Sequence, residues 1–520
     1  MEIESKAKKA KHGIFHLIFS RTALVAVLLI IQVAFLVSIV TKLEKYAFPF
    51  YAGIVLLSII VIIYIINRKE NPAFKMSWIL FVLLIPIVGT VFYVFILFQP
   101  GTKYIGKRLR TLEKQTEPYM KQNQDVMKRL GDSKPANANL AYYLSHQVHF
   151  PVHQNTEVTY FPLGEKKFEE MKKQLEKAEH FIFMEYFIVE EGLMWNSILE
   201  ILKRKVKEGV EVRFMYDGMC SIALLPYNYP KKLEESGIKC KMFSPIKPIL
   251  STHQNNRDHR KICVIDGKTA FTGGVNLADE YINKKERFGH WKDTAVMIQG
   301  DAVQNFTIMF LQIWNILEKN EEDYEKYVTP VQKEQKEDLG FVLPYGDSPF
   351  DNEIIGEQVY FHILNHAKKY VHIMTPYLIL DNEMVTTLTY AAKCGIEVII
   401  IMPHIPDKWY AFAVAKTYYA ELINAGVQIY EYTPGFVHAK VFVSDDDTAT
   451  VGTINMDYRS LYLHFECGTF IYDNPVVQDI ENDFQKTLAK CQKVTIMDLK
   501  KRGTFMKIAG SVLRLIAPLM

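Results

Sequence analysis

His259-Arg-Lys261-Ile-Cys-Val-Ile-Asp266, followed by Gly273-Gly274 and Asn276, decides the fold, because the chain says it again. The second copy is His438-Ala-Lys440-Val-Phe-Val-Ser-Asp445, followed by Gly452-Thr453 and Asn455. In both copies the Asp lies five positions after the Lys and the Asn 17 after the His. A single His-x-Lys is common by chance; two with matched Asp, Gly and Asn offsets mark a duplicated unit. The pair predicts two similar half-sites building one active site for a phosphate-bearing substrate.

The surroundings repeat as well. Helical periodicity over 165–179 and 353–368 precedes two β-rich runs, Phe181–Phe187 and Tyr370–Tyr377. A helix and a buried strand follow (Val210–Tyr216; Ile396–Met402). Another helix then leads to 237–243 and 426–432, and to the two motifs. Strands alternating with helices predict βαβ units, an α/β fold of two pseudo-symmetric halves with mostly parallel central sheets. The approach to the motif differs: His259 comes 14 positions after Pro245, His438 only four after Pro434. The additional loop, 246–258, carries Ser, Thr, Gln and Asn and is a candidate substrate-facing lid.

In His-x-Lys, alternate strand residues share a face, so imidazole and ammonium project into one cleft. The lysines Lys261 and Lys440 supply charge to non-bridging phosphate oxygens. The Gly274 and Thr453 turns let backbone approach closely, and Asn276 and Asn455 donate to phosphate. Two His suit a two-step displacement: one attacks phosphorus, and the other protonates the leaving alkoxide and then activates the acceptor hydroxyl. The candidate catalytic set is thus His259, Lys261, Asp266, His438, Lys440 and Asp445, with both Asp on the opposite strand face and read as ties between turns or strands. Asp293 and Glu466 are candidates to orient an imidazole. Nothing in the spacing supplies a metal site, so no metal and no cofactor is expected.

Composition narrows the setting. The formal net charge of +3 does not by itself imply nucleic acid. The six cysteines (220, 240, 263, 394, 467, 491) lack CxxC spacing and read as buried, reduced thiols. Apolar residues make up 49% of the chain and concentrate at its start. Residues 22–40, 47–66 and 77–98 run without charge, each about 20 residues, enough to cross a roughly 30 Å hydrocarbon layer as a helix. Charge does not orient them: three spans with the large domain inside put seven flanking Lys/Arg inside against eight outside. Pro86 and Gly89 are positioned to kink the third segment. Two spans plus one interfacial segment would put both basic ends in the cytoplasm.

The repeated phrases resemble the two HKD motifs of the phospholipase D superfamily, over roughly residues 150–495. Within it the chain is most similar to the bacterial cardiolipin synthases, on Arg287–Thr294, Thr375-Pro-Tyr377, Gly435–Lys440, and Gly452–Ser460 with Glu466. The leader Pro72–Ile96 is similar to the one that precedes such domains. Gly274 stands where many members have Ser, a departure expected to matter little. The resemblance implies transphosphatidylation: two phosphatidylglycerols give cardiolipin and glycerol through a phosphatidyl-histidine, without nucleotide or metal, with His259 as nucleophile and His438 as acid/base. The expected organisation is a membrane leader (1–100), a polar connector (101–150), two phospholipase D-like halves (151–325 and 326–498) and a C-terminal amphipathic interfacial helix (499–520). The expected place is the cell membrane, multi-pass, with the catalytic domain on the cytoplasmic face, and the expected partners are membrane phosphatidylglycerol and cardiolipin. A hydrolase with the same residues would form phosphatidic acid instead. A nuclease would want a basic groove, which the mixed Lys, Glu and Asp of this region do not give.

Overall fold

The computed structural model describes residues 44–97, 100–245, 255–316, 318, 320, 322–328 and 339–519, with Ile30 and Ala34. The chain forms two compact units. One holds residues 1–104, 246–254 and 515–520; the other holds 105–245 and 255–514.

In the first unit a helix runs over Glu44–Asn67, 24 residues, with Leu56, Leu57, Ile59, Ile60 and Ile63 exposed. The expected span 77–98 is instead two helices, Pro72–Leu84 and Pro86–Leu97, of 13 and 12 residues. Pro86 has no N–H to donate and its ring excludes the preceding turn, so the helix stops before it. Each piece is about 20 Å long, short of the bilayer core. They fold back on each other at Gly89, where a Cβ would stand 2.7 Å from the Phe81 carbonyl oxygen and the Val82 Cα. Trp78 closes edge-on to Tyr93, ring centroids 5.3 Å apart. Among the described residues no helix is long and apolar enough to cross a membrane. The segment 22–40 lies outside the described residues, Ile30 and Ala34 apart.

The second unit carries both motif copies. Its strands are β1 (Thr156–Phe161), β2 (Phe181–Tyr186), β3 (Glu211–Asp217), β4 (Lys239–Phe243), β5 (Lys261–Ile265), β6 (Thr269–Gly273), β7 (His290–Lys292) and β8 (Ala295–Gly300) in the first half. The second half has β9 (Phe341–Asp347), β10 (Tyr370–Met374), β11 (Leu378–Ile379), β12 (Glu397–Pro403), β13 (Gln428–Tyr432), β14 (Gly435–Val437), β15 (Val441–Ser444), β16 (Thr448–Gly452), β17 (Met456–Asp457), β18 (Glu466–Tyr472) and β19 (Cys491–Lys493). The two large sheets are ordered β1-β8-β6-β5-β2-β3-β4 and β19-β13-β12-β10-β15-β16-β18-β9.

These sheets are mixed, not mostly parallel. Parallel pairing is confined to β2-β3-β4 and β10-β12-β13, the part that helices connect. Each motif instead opens a tight hairpin, β5–β6 and β15–β16, and every other pairing in the large sheets is antiparallel. The cause is local. Asp266-Gly267 and Asp445-Asp446 all have positive φ (52°, 65°, 55° and 62°), the backbone of a two-residue turn that matches strand twist.

Asp266 and Asp445 therefore sit at the turns, at the far end of the strand from His259 and His438, and not in the cleft. Asp266 accepts from the backbone N–H of Glu179, His180 and Phe181, each at 2.8 Å. Asp445 does the same for Lys368, Lys369 and Tyr370 at 2.6–3.1 Å. Each carboxylate ties its hairpin to the start of the neighbouring strand, β2 or β10. Asp266→Ala leaves three donors without their acceptor and is expected to cost about 2–4 kcal/mol of stability. Denaturant melts should show the loss, with activity per folded molecule largely kept.

The halves pack around the helix Val303–Trp314, buried along nearly its whole length and in contact with both β5 and β9. Sheet meets sheet where the Thr272 hydroxyl approaches the Cys467 sulfur at 3.4 Å. The polar connector is largely helical (Pro100–Thr116, Gln124–Ser133, Pro135–Gln147), and Leu109, Leu112 and Met120 join this central core. Residues 322–328 belong with the first half: Glu322 and Tyr327 clasp Arg213 of β3. Of the expected lid, 246–254 lie outside the described residues, whereas Arg257 and Asp258 are buried, Arg257 Nη1 donating to the Ser244 carbonyl at 2.8 Å. At the C-terminus the helix Thr504–Ile516 seats Gly510 against the Ala413 carbonyl, and Phe505, Ile508 and Val512 face outward.

Candidate active site

The two halves exchange strand segments at the cleft. The short strand β14, just before His438, pairs with β7, just before Asp293, and the His438 N–H donates to the Lys292 carbonyl at 2.7 Å. On the other side Asp258 bridges to Phe465, and the His259 N–H donates to the Phe465 carbonyl at 2.9 Å. Each pairing sets a histidine of one half beside an acid of the other. Asp293 Oδ2 lies 2.7 Å from His438 Nδ1. Glu466 holds His259 Nδ1 with both oxygens, at 2.9 and 3.0 Å. Sequence spacing puts each acid after its own motif; the fold hands it to the other one. With Nδ1–H donated to a carboxylate, Nε2 keeps the lone pair that nucleophilic attack or proton transfer requires.

His259, His438, Lys261 and Lys440 are all buried. Lys261 Nζ donates to the His259 carbonyl at 2.5 Å, and Lys440 Nζ stands 3.0 Å from His438 Nδ1. Burial, then the neighbouring lysine charges, hold the His259 imidazole well below its usual range. His438 is pushed down to about 4 by burial and by Lys440, against the pull of Asp293. Burial also lowers Lys261 to about 8 and Lys440 to about 7, where the charge of Lys261 adds to the effect. The cleft brings together two neutral imidazoles and two buried lysines, Lys440 held down further by the charge of Lys261. A phosphodiester anion adds negative charge beside the two lysines and so favours their charged forms.

The turn residues do other work than expected. Thr453 donates its hydroxyl to Glu466 Oε2 at 2.5 Å and accepts from the Cys467 N–H at 3.0 Å, so it holds the acid rather than the phosphate. Gly274 gives its N–H to the Thr294 carbonyl, and a Cβ there would meet Asp293 Oδ1 at 2.0 Å. The glycine at this position is therefore not neutral: it is the space in which the Asp293 carboxylate stands. Asn276 is also committed, accepting from the Ile188 N–H at 3.0 Å and donating to the Tyr281 hydroxyl at 2.8 Å. Asn455 differs: it is buried and its Oδ1 has no partner among the described residues.

Several site residues carried no separate signal in the sequence. Phe187 stands edge-on to His259 (4.8 Å between centroids) beneath Lys261, and Tyr281 stands edge-on to His438 (5.5 Å). His464 lies 5.5 Å from His259, ring to ring. His259, His464 and Glu466 form the one metal-spaced group among the described residues, and its carboxylate is already shared between His259 and Thr453.

A duplicated α/β scaffold with one His-Lys pair from each half defines a phosphodiester-processing class. Residues 171–314 and 360–488, more than half of the chain, match the family described as cardiolipin synthase, PLD-like domain. Residues 56–96 match the phospholipase D-nuclease N-terminal family. The chain belongs to the cardiolipin synthase, PLD-like domain family. It is 52% identical to an uncharacterized protein of Streptococcus mutans over 88% of this chain and 99% of that one. It is 32% identical to a cardiolipin synthase of Halalkalibacterium halodurans (91% and 94% covered) and 34% to one of Alkalihalophilus pseudofirmus (88% and 91%). Among solved structures, the phosphatidylserine synthase of Haemophilus influenzae superposes with a TM-score of 0.56 at 14% identity, over 74% of this chain and 97% of that one, a likeness of fold.

Proposed function

We propose that the chain is a cardiolipin synthase that joins two phosphatidylglycerols and releases one glycerol. The observation that carries this is the pair of buried neutral histidines, each held by an acid from the opposite half around two lysines. His259 Nε2 attacks phosphorus of the first lipid. The P–O bond to glycerol breaks, and His438, protonated once the anion is bound, gives its proton to the leaving oxygen. The phosphatidyl group is then on His259. A hydroxyl of a second phosphatidylglycerol passes its proton to His438 and attacks phosphorus; the P–N bond breaks, leaving cardiolipin and free His259. Lys261, Lys440 and Asn455 hold the non-bridging oxygens, and Asp293 and Glu466 fix the tautomers. No nucleotide enters, because the P–O bond energy of the donor is conserved in the product.

Denaturation in alkaline detergent, which preserves the acid-labile P–N bond, after a brief incubation with phosphate-labelled phosphatidylglycerol tests the intermediate. Protein-bound label should appear in the wild type and be absent from His259→Ala. Label retained in that variant would move the nucleophile to His438.

The pH profile follows from the same groups. kcat/KM reports the free enzyme. It needs neutral His259, whose lowered pKa puts the acid limb below the usual imidazole value of 6.5. It needs charged Lys440 and Lys261, which lose their protons as pH rises through about 7 and about 8, and a proton that His438, held at about 4 in the free enzyme, takes up from solvent as the anion binds. Activity should therefore fall on the alkaline side above about pH 7. A flat profile from pH 7 to 9 would contradict the role of the lysines.

The leader anchors the enzyme where its substrates and product reside. In this reading 22–40, 47–66 and the hairpin within 77–98 enter the bilayer as spans or interfacial segments. The outward Phe505, Ile508 and Val512 meet it from the C-terminal helix, with Lys500, Lys501 and Lys507 beside anionic headgroups. The catalytic unit then faces the cytoplasm, where the cysteines stay reduced.

A further inference from the structure

The two motif copies match through the Asn, and then diverge in charge. Four positions after Asn276 stands Glu280, buried and paired with Arg287 at 3.1 Å. Four positions after Asn455 stands Arg459. This guanidinium is half-buried, its Nε donates to His464 Nε2 at 3.2 Å, and no carboxylate among the described residues lies within ion-pair distance of it. A partly buried arginine whose near partner is a neutral imidazole has unused donors on its outer edge. His464 in turn stands beside His259.

A second cation comes from the end of β12. Lys408 is about half exposed and lies over the Tyr377 ring, with Nζ 3.4 Å from the Tyr377 hydroxyl. Its nearest acid, Asp407, is 3.9 Å away and already accepts from that hydroxyl at 2.5 Å. Lys408 and Tyr377 share a small cleft with Phe436, which leans on His438 with centroids 5.8 Å apart. The charge of Lys408 is also one of those that hold His259 neutral, and both Lys408 and Arg459 pull on the buried Asp457. Arg459 reaches His259 through His464, and Lys408 reaches His438 through Phe436, so the two cations flank one cleft, at the carboxyl ends of the parallel strands β10 and β12, where such sheets bind ligands. Among the described residues the first half has no equivalent: its strand β3 ends in Asp217, closed off by Arg257 at 3.4 Å.

We infer that Arg459 and Lys408 form a second anion site, which takes the phosphodiester of the acceptor phosphatidylglycerol while Lys261 and Lys440 hold the phosphate under attack. The inference rests on the function proposed above, and it explains why the duplication is broken on one side. The donor's leaving group is an uncharged glycerol. The acceptor is the same glycerol carrying a phosphate, and the product carries two phosphates joined by a glycerol bridge. An enzyme that prefers lipid acceptor over free glycerol or water needs a cation for that second phosphate, and a guanidinium fork suits it better than an ammonium.

The test compares two acceptors at one active site. Purified full-length protein in vesicles of phosphatidylglycerol and phosphatidylcholine is followed for cardiolipin and for incorporation of labelled glycerol into phosphatidylglycerol. Headgroup exchange uses the same nucleophile and acid/base but an acceptor with no phosphate. In Arg459→Gln the ratio of cardiolipin formation to exchange should fall roughly 10- to 100-fold. Arg459→Lys should fall less, and the exposed Lys408→Gln should move the ratio the same way. Equal loss of both reactions would overturn the site and make Arg459 a positioning residue acting through His464. An unchanged ratio would overturn it too. Exchange without cardiolipin in the wild type would overturn the proposed function itself, and with it this site.

Discussion

Replacing His259 by alanine is expected to lower the rate of cardiolipin formation by about 10^4- to 10^6-fold, the loss found when a covalent nucleophile is removed. His438→Ala should fall by a similar factor with phosphatidylglycerol, because the glycerol alkoxide is a poor leaving group without a proton donor. The two variants separate when the donor carries a leaving group that needs no proton, such as a phosphatidyl ester of p-nitrophenol. His438→Ala should then release p-nitrophenol in a burst and stall as the phosphatidyl-enzyme, whereas His259→Ala should release none. The reverse pattern would exchange the two roles. Equal inactivity would mean that the imidazoles act as one unit in the first step. Both side chains are buried, so each variant should be checked by its melting curve; the cavity costs stability, not the selectivity between donors.

The second large effect concerns the acids that cross between halves. Glu466→Gln and Asp293→Asn keep shape and size but replace a carboxylate by an amide that can donate to Nδ1. The imidazole then loses the Nδ1–H tautomer, and with it the lone pair at Nε2. Each variant is expected to lose about 10^2- to 10^4-fold in kcat with little change in KM. Asp293→Asn should act on His438 and Glu466→Gln on His259, although in sequence each acid follows the other's motif. The p-nitrophenyl donor reads this directly: Glu466→Gln should abolish the burst and Asp293→Asn should keep it. A burst lost in Asp293→Asn and kept in Glu466→Gln would show that the acids serve their own halves.

The sequence made the chemistry plain because duplication repeats the reacting residues at fixed offsets. It also marked the βαβ part, since β2-β3-β4 and β10-β12-β13 follow buried runs separated by helices. What it concealed depended on pairing across distance. Asp266-Gly267 is a local hairpin signal, yet only the three backbone donors 85–87 positions away show why the carboxylate is needed. The partners Asp293–His438 and Glu466–His259 are 145 and 207 residues apart, and no periodicity reports that. Gly274 read as an indifferent substitution until Asp293 occupied its space. In the leader, Pro86 and Gly89 marked a kink in the third apolar segment, but not that its two short helices fold back and pack on each other at Gly89.

The central claim is that paired histidines move a phosphatidyl group from one phosphatidylglycerol to another without metal or nucleotide. The direct measurement is on full-length protein in phosphatidylglycerol vesicles, with chelator and no nucleotide, following cardiolipin, free glycerol and phosphatidic acid together. The account predicts cardiolipin and glycerol in equal amounts, with neither formed by His259→Ala or His438→Ala. Phosphatidic acid and glycerol without cardiolipin would contradict it and make water the acceptor.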